Sequence, residues 1–82
     1  MQKHKVSFEE AVTVFSDPLS ATFDDFDHSI REKRYLTIGY SSRGRLLIVS
    51  YTERGEIIRI ISARKASTNE RKRHEEEKGR TY

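Results

Sequence analysis

The sequence predicts an α+β domain, a four-stranded antiparallel sheet with a short N-terminal helix and a polar C-terminal helix. Three observations carry this. The hydrophobic period changes from helical to alternating at Pro18, it changes again at Ala63, and the strands between about 33 and 63 are joined by connections too short for a crossover, which makes them a meander. Eighty-two residues hold a single such domain, 1–82, and leave no room for a second core.

Ser7-Phe8-Glu9-Glu10 has the form of a capping box, with Ser7 as N-cap and Glu10 reaching back. Phe8, Ala11, Val12 and Phe15 then repeat at i, i+3, i+4 and i+7, the spacing of one buried stripe on a helix over about 7–15. Asp17-Pro18 stops that helix, because the residue before proline is pushed out of the α region. Ala21 and Phe23 alternate with polar neighbours in an edge strand over about 19–24, followed by a polar loop from Asp24 to Ser29. The strand over about 33–41 puts Leu36, Ile38 and Tyr40 on one side and Tyr35 and Thr37 on the other, and Ser42-Arg43-Gly44 turns the chain. The next, about 45–53, is apolar on both faces through Leu46–Val49 and is expected to sit centrally. Arg54-Gly55 reads as a two-residue hairpin loop. The last strand, about 56–63, places Ile57, Arg59 and Ile61 on one face and Ile58, Ile60 and Ser62 on the other. A second capping box, Ser67-Thr68-Asn69-Glu70, opens a helix over about 67–78. No residue from Thr68 to Arg80 is apolar, so core packing is not expected to hold it. Pairs such as Lys72–Glu76 and Arg73–Glu77 contribute only a few tenths of a kcal/mol each, and the helix is expected to fray unless something covers it.

Composition narrows the chemistry. The chain has no cysteine, which excludes disulfides, thiolate zinc sites and thiol catalysis and fits a reducing, cytoplasmic setting. Its longest aliphatic run is Leu46–Val49, far short of the ~18 residues of a membrane span, and its polar start is no signal peptide. His4, His28 and His74 have no metal-ligand spacing, and Asp24, Asp25, Asp27 and His28 read as a turn-forming acidic loop rather than a cation site. No glycine motif cradles phosphate, so no metal or cofactor is expected.

Charge is more informative. Residues 1–30 carry two lysines against six acids, a net −4, whereas residues 31–82 carry fourteen Lys/Arg against seven acids, a net +7. Seven of those cations, with His74 among them, lie between Arg64 and Arg80. Arg64 leaves the last strand, and Arg71, His74 and Lys78 follow on one helical face at i, i+3 and i+7. A phosphodiester attacked by its own 2′-hydroxyl needs cations on its developing charge and a group that moves a proton. The guanidinium fork suits the first task, and imidazole, with its unperturbed pKa of about 6.5, suits the second. Arg64, Arg71 and His74 are therefore the candidate catalytic residues, and Lys65, Lys72 and Lys78 the candidate RNA contacts. The same residues would equally form a basic helix lying on RNA or on an acidic protein, that is, a non-catalytic binding module.

Several segments resemble the BrnT toxin family: Lys3-His4-Lys5-Val6-Ser7-Phe8-Glu9-Glu10-Ala11, Phe15 to Pro18, Tyr35-Leu36-Thr37-Ile38-Gly39, Gly44-Arg45, and Arg59-Ile60-Ile61-Ser62-Ala63-Arg64-Lys65-Ala66. The resemblance covers almost the whole chain. It implies a RelE-like ribonuclease fold and the toxin half of a bacterial type II toxin–antitoxin pair. It further implies RNA cleavage that arrests growth, neutralised by a BrnA-type antitoxin through which alone the pair reaches operator DNA; the activity expected of this chain is that of a metal-independent endoribonuclease. Two departures accompany it. Members usually begin with a β–α unit ahead of the Lys3-His4 segment that is not found here, and His74 stands where relatives often carry tyrosine. Histidine titrates near neutrality and tyrosine near 10, so the exchange would change the pH profile.

Overall fold

The computed structural model describes residues 6–25 and 33–79. Helix α1 spans Phe8–Thr13 and tightens into a 3-10 turn over Val14–Ser16. Strands β1 (Ala21–Asp24), β2 (Arg34–Tyr40), β3 (Leu46–Arg54) and β4 (Ile57–Lys65) follow, and helix α2 runs Thr68–Gly79. The sheet is antiparallel in the order β1-β2-β3-β4, so the meander and the central β3 are as the sequence predicts, with β1 and β4 at the edges. The acidic-loop reading for Asp27 and His28, and the segment holding His4, lie outside the described residues.

Pairing sorts the strands into two faces. Thr22, Tyr35, Thr37, Leu47, Val49, Tyr51, Ile60 and Ala63 share the face that receives α1, where Ala11, Val14, Leu47, Val49 and Tyr51 form the core. Phe15 meets Tyr51 edge-on at 5.0 Å, and Tyr35 stacks on Tyr51 at 5.5 Å. Gly39 lets the chain after α1 come this close: a Cβ there would stand 2.8 Å from Ser20 Cβ and 3.1 Å from both Val14 Cγ1 and Asp17 Oδ2. Asp17 fastens the same approach, its Oδ2 accepting from Tyr40 N at 2.7 Å and its Oδ1 from Leu19 N at 2.9 Å. The resulting turn delays β1 to Ala21, two residues later than alternation alone suggests.

Three local expectations are corrected. The buried face of α1 is Glu10, Ala11 and Val14, while Phe8 and Val12 are exposed at 62% and 43%. The tightening to three residues per turn at Val14 favours the i, i+3 pair Ala11–Val14 over the i+4 stripe. Glu10 N is capped by Ser7 Oγ at 3.0 Å, but the Glu10 carboxylate turns inward instead of reaching back. There it accepts from Arg45 Nε at 2.8 Å, from Arg45 Nη2, and from Ser41 Oγ at 2.7 Å, tying α1 to the β2–β3 loop. The hairpin loop is Gly55-Glu56, closed by Arg54 opposite Ile57, one residue later than the sequence suggests. Gly55 has φ +61° and no non-glycine residue described has positive φ, which is the II′ pattern with glycine first.

Candidate functional site

The opposite face of the sheet carries α2, and one irregularity decides which side chains it meets. Between Ser50 and Tyr51 the β3–β4 register shifts: Ser50 faces Ser62, but Tyr51 faces Ile60, leaving Ile61 as an extra residue. Strict alternation would put Ser62 with Ile58 and Ile60, and Arg64 on the α1 face. The bulge reverses both. Arg64 sits opposite Ile48, which pairs with Ile38, so Arg64 shares its face with Ile38, Phe23 and Arg59. Re-aiming a side chain is the characteristic effect of a β-bulge.

Arg64 then meets the start of α2. Its Nη1 and Nη2 donate to Glu70 Oε1 and Oε2, each at 2.9 Å, and Nη1 also donates to the Lys65 carbonyl at 3.2 Å. Glu70 completes the predicted capping box, accepting from Ser67 N at 2.8 Å while Glu70 N donates to Ser67 Oγ at 3.2 Å. The Arg64 hydrogen bonds, helped by the Ser67 N–H and opposed by desolvation, hold the Glu70 carboxyl down at about 2. The same contact raises the Arg64 guanidinium. Arg64 is thus a permanent cation whose fork already rests on a carboxylate.

The expectation that α2 has nothing to pack with is corrected. His74 is buried, 5% exposed, and its ring lies 6.1 Å from that of Tyr40. Tyr40 donates its hydroxyl to Glu75 Oε2 at 3.0 Å, and burial, with the Glu75 hydrogen bond, pushes the phenol up, while the nearby charge of Arg71 acts the other way. A polar helix is therefore held at both ends of its first two turns, by Arg64–Glu70 and by Tyr40 with His74 and Glu75. His74 Nε2 is buried with no hydrogen-bond partner among the described residues. The His74 residue lines an open cleft of about 220 Å³ with Phe23, Ile38, Glu70, Arg73 and Glu77.

Of the residues singled out from sequence, Arg64 pairs with Glu70, which lines the same cleft as His74, and Arg71 lies on the Tyr40 side of α2. Lys65 and Lys72 are exposed on the strand and helix. Lys78 is within α2. Sequence reading overlooks Tyr40, Phe23 and Arg59. Tyr40 and Phe23 register there only as alternating strand residues, and Arg59 falls in line with Thr52 and Arg34 only through the register. No group of three or more His, Asp or Glu arranged to hold a metal occurs among the described residues.

A family model described as the ribonuclease toxin BrnT of type II toxin–antitoxin systems matches residues 1–70. The chain belongs to the BrnT family. It is therefore a member of a ribonuclease toxin family, and a type II toxin family implies an antitoxin partner. The match contains Arg64 and Glu70 and ends before Arg71 and His74. No curated protein matches the chain. Among the described residues no helix is long and apolar enough to cross a membrane.

Proposed function

We propose that this BrnT family member is a cytoplasmic, metal-independent endoribonuclease whose RNA cleavage arrests growth. The observation that carries the proposal is the placement of Arg64, by a bulge, on the sheet face where α2 brings a buried histidine with an unpartnered Nε2 beside an open cleft. In this reading the 2′-hydroxyl of RNA attacks the adjacent phosphorus, its proton leaves, and the 5′-oxygen departs carrying a proton. His74 is the general acid or base for one of these transfers. Arg64 and Arg71 stabilise the charge that develops on the phosphoryl oxygens. Arg64 does so by exchanging part of its contact with Glu70 for the phosphate, which offers the same paired oxygens to the fork. Lys65, Lys72 and Lys78 hold flanking phosphates. A BrnA-type antitoxin that itself binds operator DNA covers this basic face.

A second reading has its own support: Arg64 is bidentate to Glu70 and His74 is buried, the arrangement of a structural anchor in a non-catalytic RNA- or protein-binding module. One experiment separates them. Purified protein is incubated with RNA in EDTA, alongside Arg64→Ala, Arg71→Ala and His74→Gln. Cleavage by the parent chain that falls about 10²–10³-fold in the arginine variants supports the enzyme. Cleavage that persists in both arginine variants refutes the assignment.

A further inference from the structure

We infer that the cleft between β1 and α2 is a subsite for one unpaired nucleobase of the RNA, with Phe23 as its stacking platform. The inference rests on the RNA reading above and adds to it where the chain holds a base rather than a phosphate. Phe23 is half-exposed on edge strand β1, at 52%, and lines the cleft. It shares its sheet face with Ile38, which forms the floor. Across the cleft stand Arg73, His74, Glu70 and Glu77 of α2, spaced i, i+3, i+4 and i+7 from Glu70.

The lining fits a base better than a phosphate. Two carboxylates, Glu70 and Glu77, line the cleft beside one arginine, Arg73, so the lining lacks the net positive charge that a phosphate needs. Carboxylates do accept hydrogen bonds from the N–H groups on the edge of a base. Every base also has a π-face that an aromatic side chain can cover. His74, one of the residues that line the cleft, is itself buried, and its Nε2 has no hydrogen-bond partner among the described residues. Size agrees as well. About 220 Å³ lies below the ~300–1,000 Å³ of sites that enclose drug-sized ligands, and leaves room for one ring system. Arg73, at the rim, and Arg64, paired to the Glu70 of the wall, supply cations for the phosphates on either side.

The test uses the full chain and a single-stranded 2′-O-methyl oligoribonucleotide, which lacks the attacking hydroxyl and therefore reads binding without cleavage. The chain has no tryptophan, so Phe23→Trp introduces a unique fluorophore at the platform. Expected is saturable quenching of that tryptophan, tracking the anisotropy of a labelled oligonucleotide. Phe23→Leu keeps an apolar side chain without a π-face and is expected to weaken binding roughly 5- to 150-fold, the range for loss of one aromatic–base stack. An abasic substitution in the oligonucleotide is expected to weaken the parent chain but not Phe23→Leu. Oligonucleotide binding that leaves the emission of the Phe23→Trp variant unchanged, or that keeps parental affinity in Phe23→Leu, overturns the base subsite and leaves the RNA reading standing. Failure of the parent chain to bind overturns both. Emission that changes only when the antitoxin is added assigns the cleft to that protein and overturns the subsite.

Discussion

Replacing Glu10 by glutamine tests the junction on which the fold depends. The Glu10 side chain is only 3% exposed, and its carboxylate takes hydrogen bonds from Arg45 and Ser41. The Arg45 hydrogen bonds, against the opposing cost of burial, draw its pKa from 4.5 to about 2. A difference of that size corresponds to about 3 kcal/mol of stability at neutral pH. A domain of this length has roughly 4–12 kcal/mol in all. Glu10→Gln preserves volume and one acceptor but removes the charge that pairs with Arg45, so the midpoint of thermal denaturation is expected to fall by roughly 10–20 °C. The pH dependence follows from the direction of the shift. A carboxyl whose folded pKa lies below its unfolded value stabilises fully above about pH 4.5 and loses that contribution as pH falls toward 2. The parent protein should therefore lose stability across that window, and Glu10→Gln should show a flatter acid limb. Glu70 shifts in the same direction, but its side chain is 36% exposed and solvent screening makes its share small. Melting curves of the variant within about 2–3 °C of the parent, with the same acid slope, would refute this account of the junction.

Gly39→Ala forces a Cβ to 2.8 Å from Ser20 Cβ, and urea denaturation is expected to show a loss of about 1–3 kcal/mol. Arg64→Ala removes an exposed ion pair, so stability should change by no more than about 1 kcal/mol, while RNA cleavage drops by the ~10²–10³ expected of a lost transition-state cation. Parallel denaturation and cleavage assays separate the two effects, and equal losses in both would remove Arg64 from the chemistry. His74→Ala deletes the single buried side chain of α2 among the described residues, and the amides of that helix should exchange about 10–100-fold faster in the free protein, with β3 unchanged.

Much of the architecture was legible because the periods were unambiguous. Leu46–Val49, apolar on both faces, could only be a central strand, and the Ser67–Glu70 box formed as spaced. What the sequence hid were contacts between residues far apart in the chain. Glu10 and Arg45 are 35 residues apart, and the capping-box pattern offered Glu10 a local partner that the partly exposed guanidinium outcompetes. The stripe on α1 rotated because the 3-10 turn changed the period midway, and a single change of pitch is not visible in a list of apolar positions. At the site, the spacing of Arg71 and His74 was readable, but the side of the sheet that Arg64 occupies was not.

The face that Arg64 occupies ties the fold to the proposed function. A one-residue shift in a strand sends every later side chain to the other face. Residues 57–61 carry isoleucine on both faces, so nothing in them announces the extra Ile61, yet without it Arg64 would point at α1 and Glu70 would have no guanidinium to hold. The polar helix could not then dock at its start, because Tyr40, His74 and Glu75 engage it only from the second turn onward. The bulge therefore does two things at once. It anchors a helix that has no apolar stripe, and it delivers a permanent cation to the sheet face on which α2 and its buried histidine lie. Under the proposed function both outcomes depend on the same guanidinium, and the Arg64–Glu70 contact would then have to be strong enough to orient the helix yet exposed enough to be exchanged for a phosphate. Its side chains, 59% and 36% exposed, with two parallel hydrogen bonds of 2.9 Å, meet both demands.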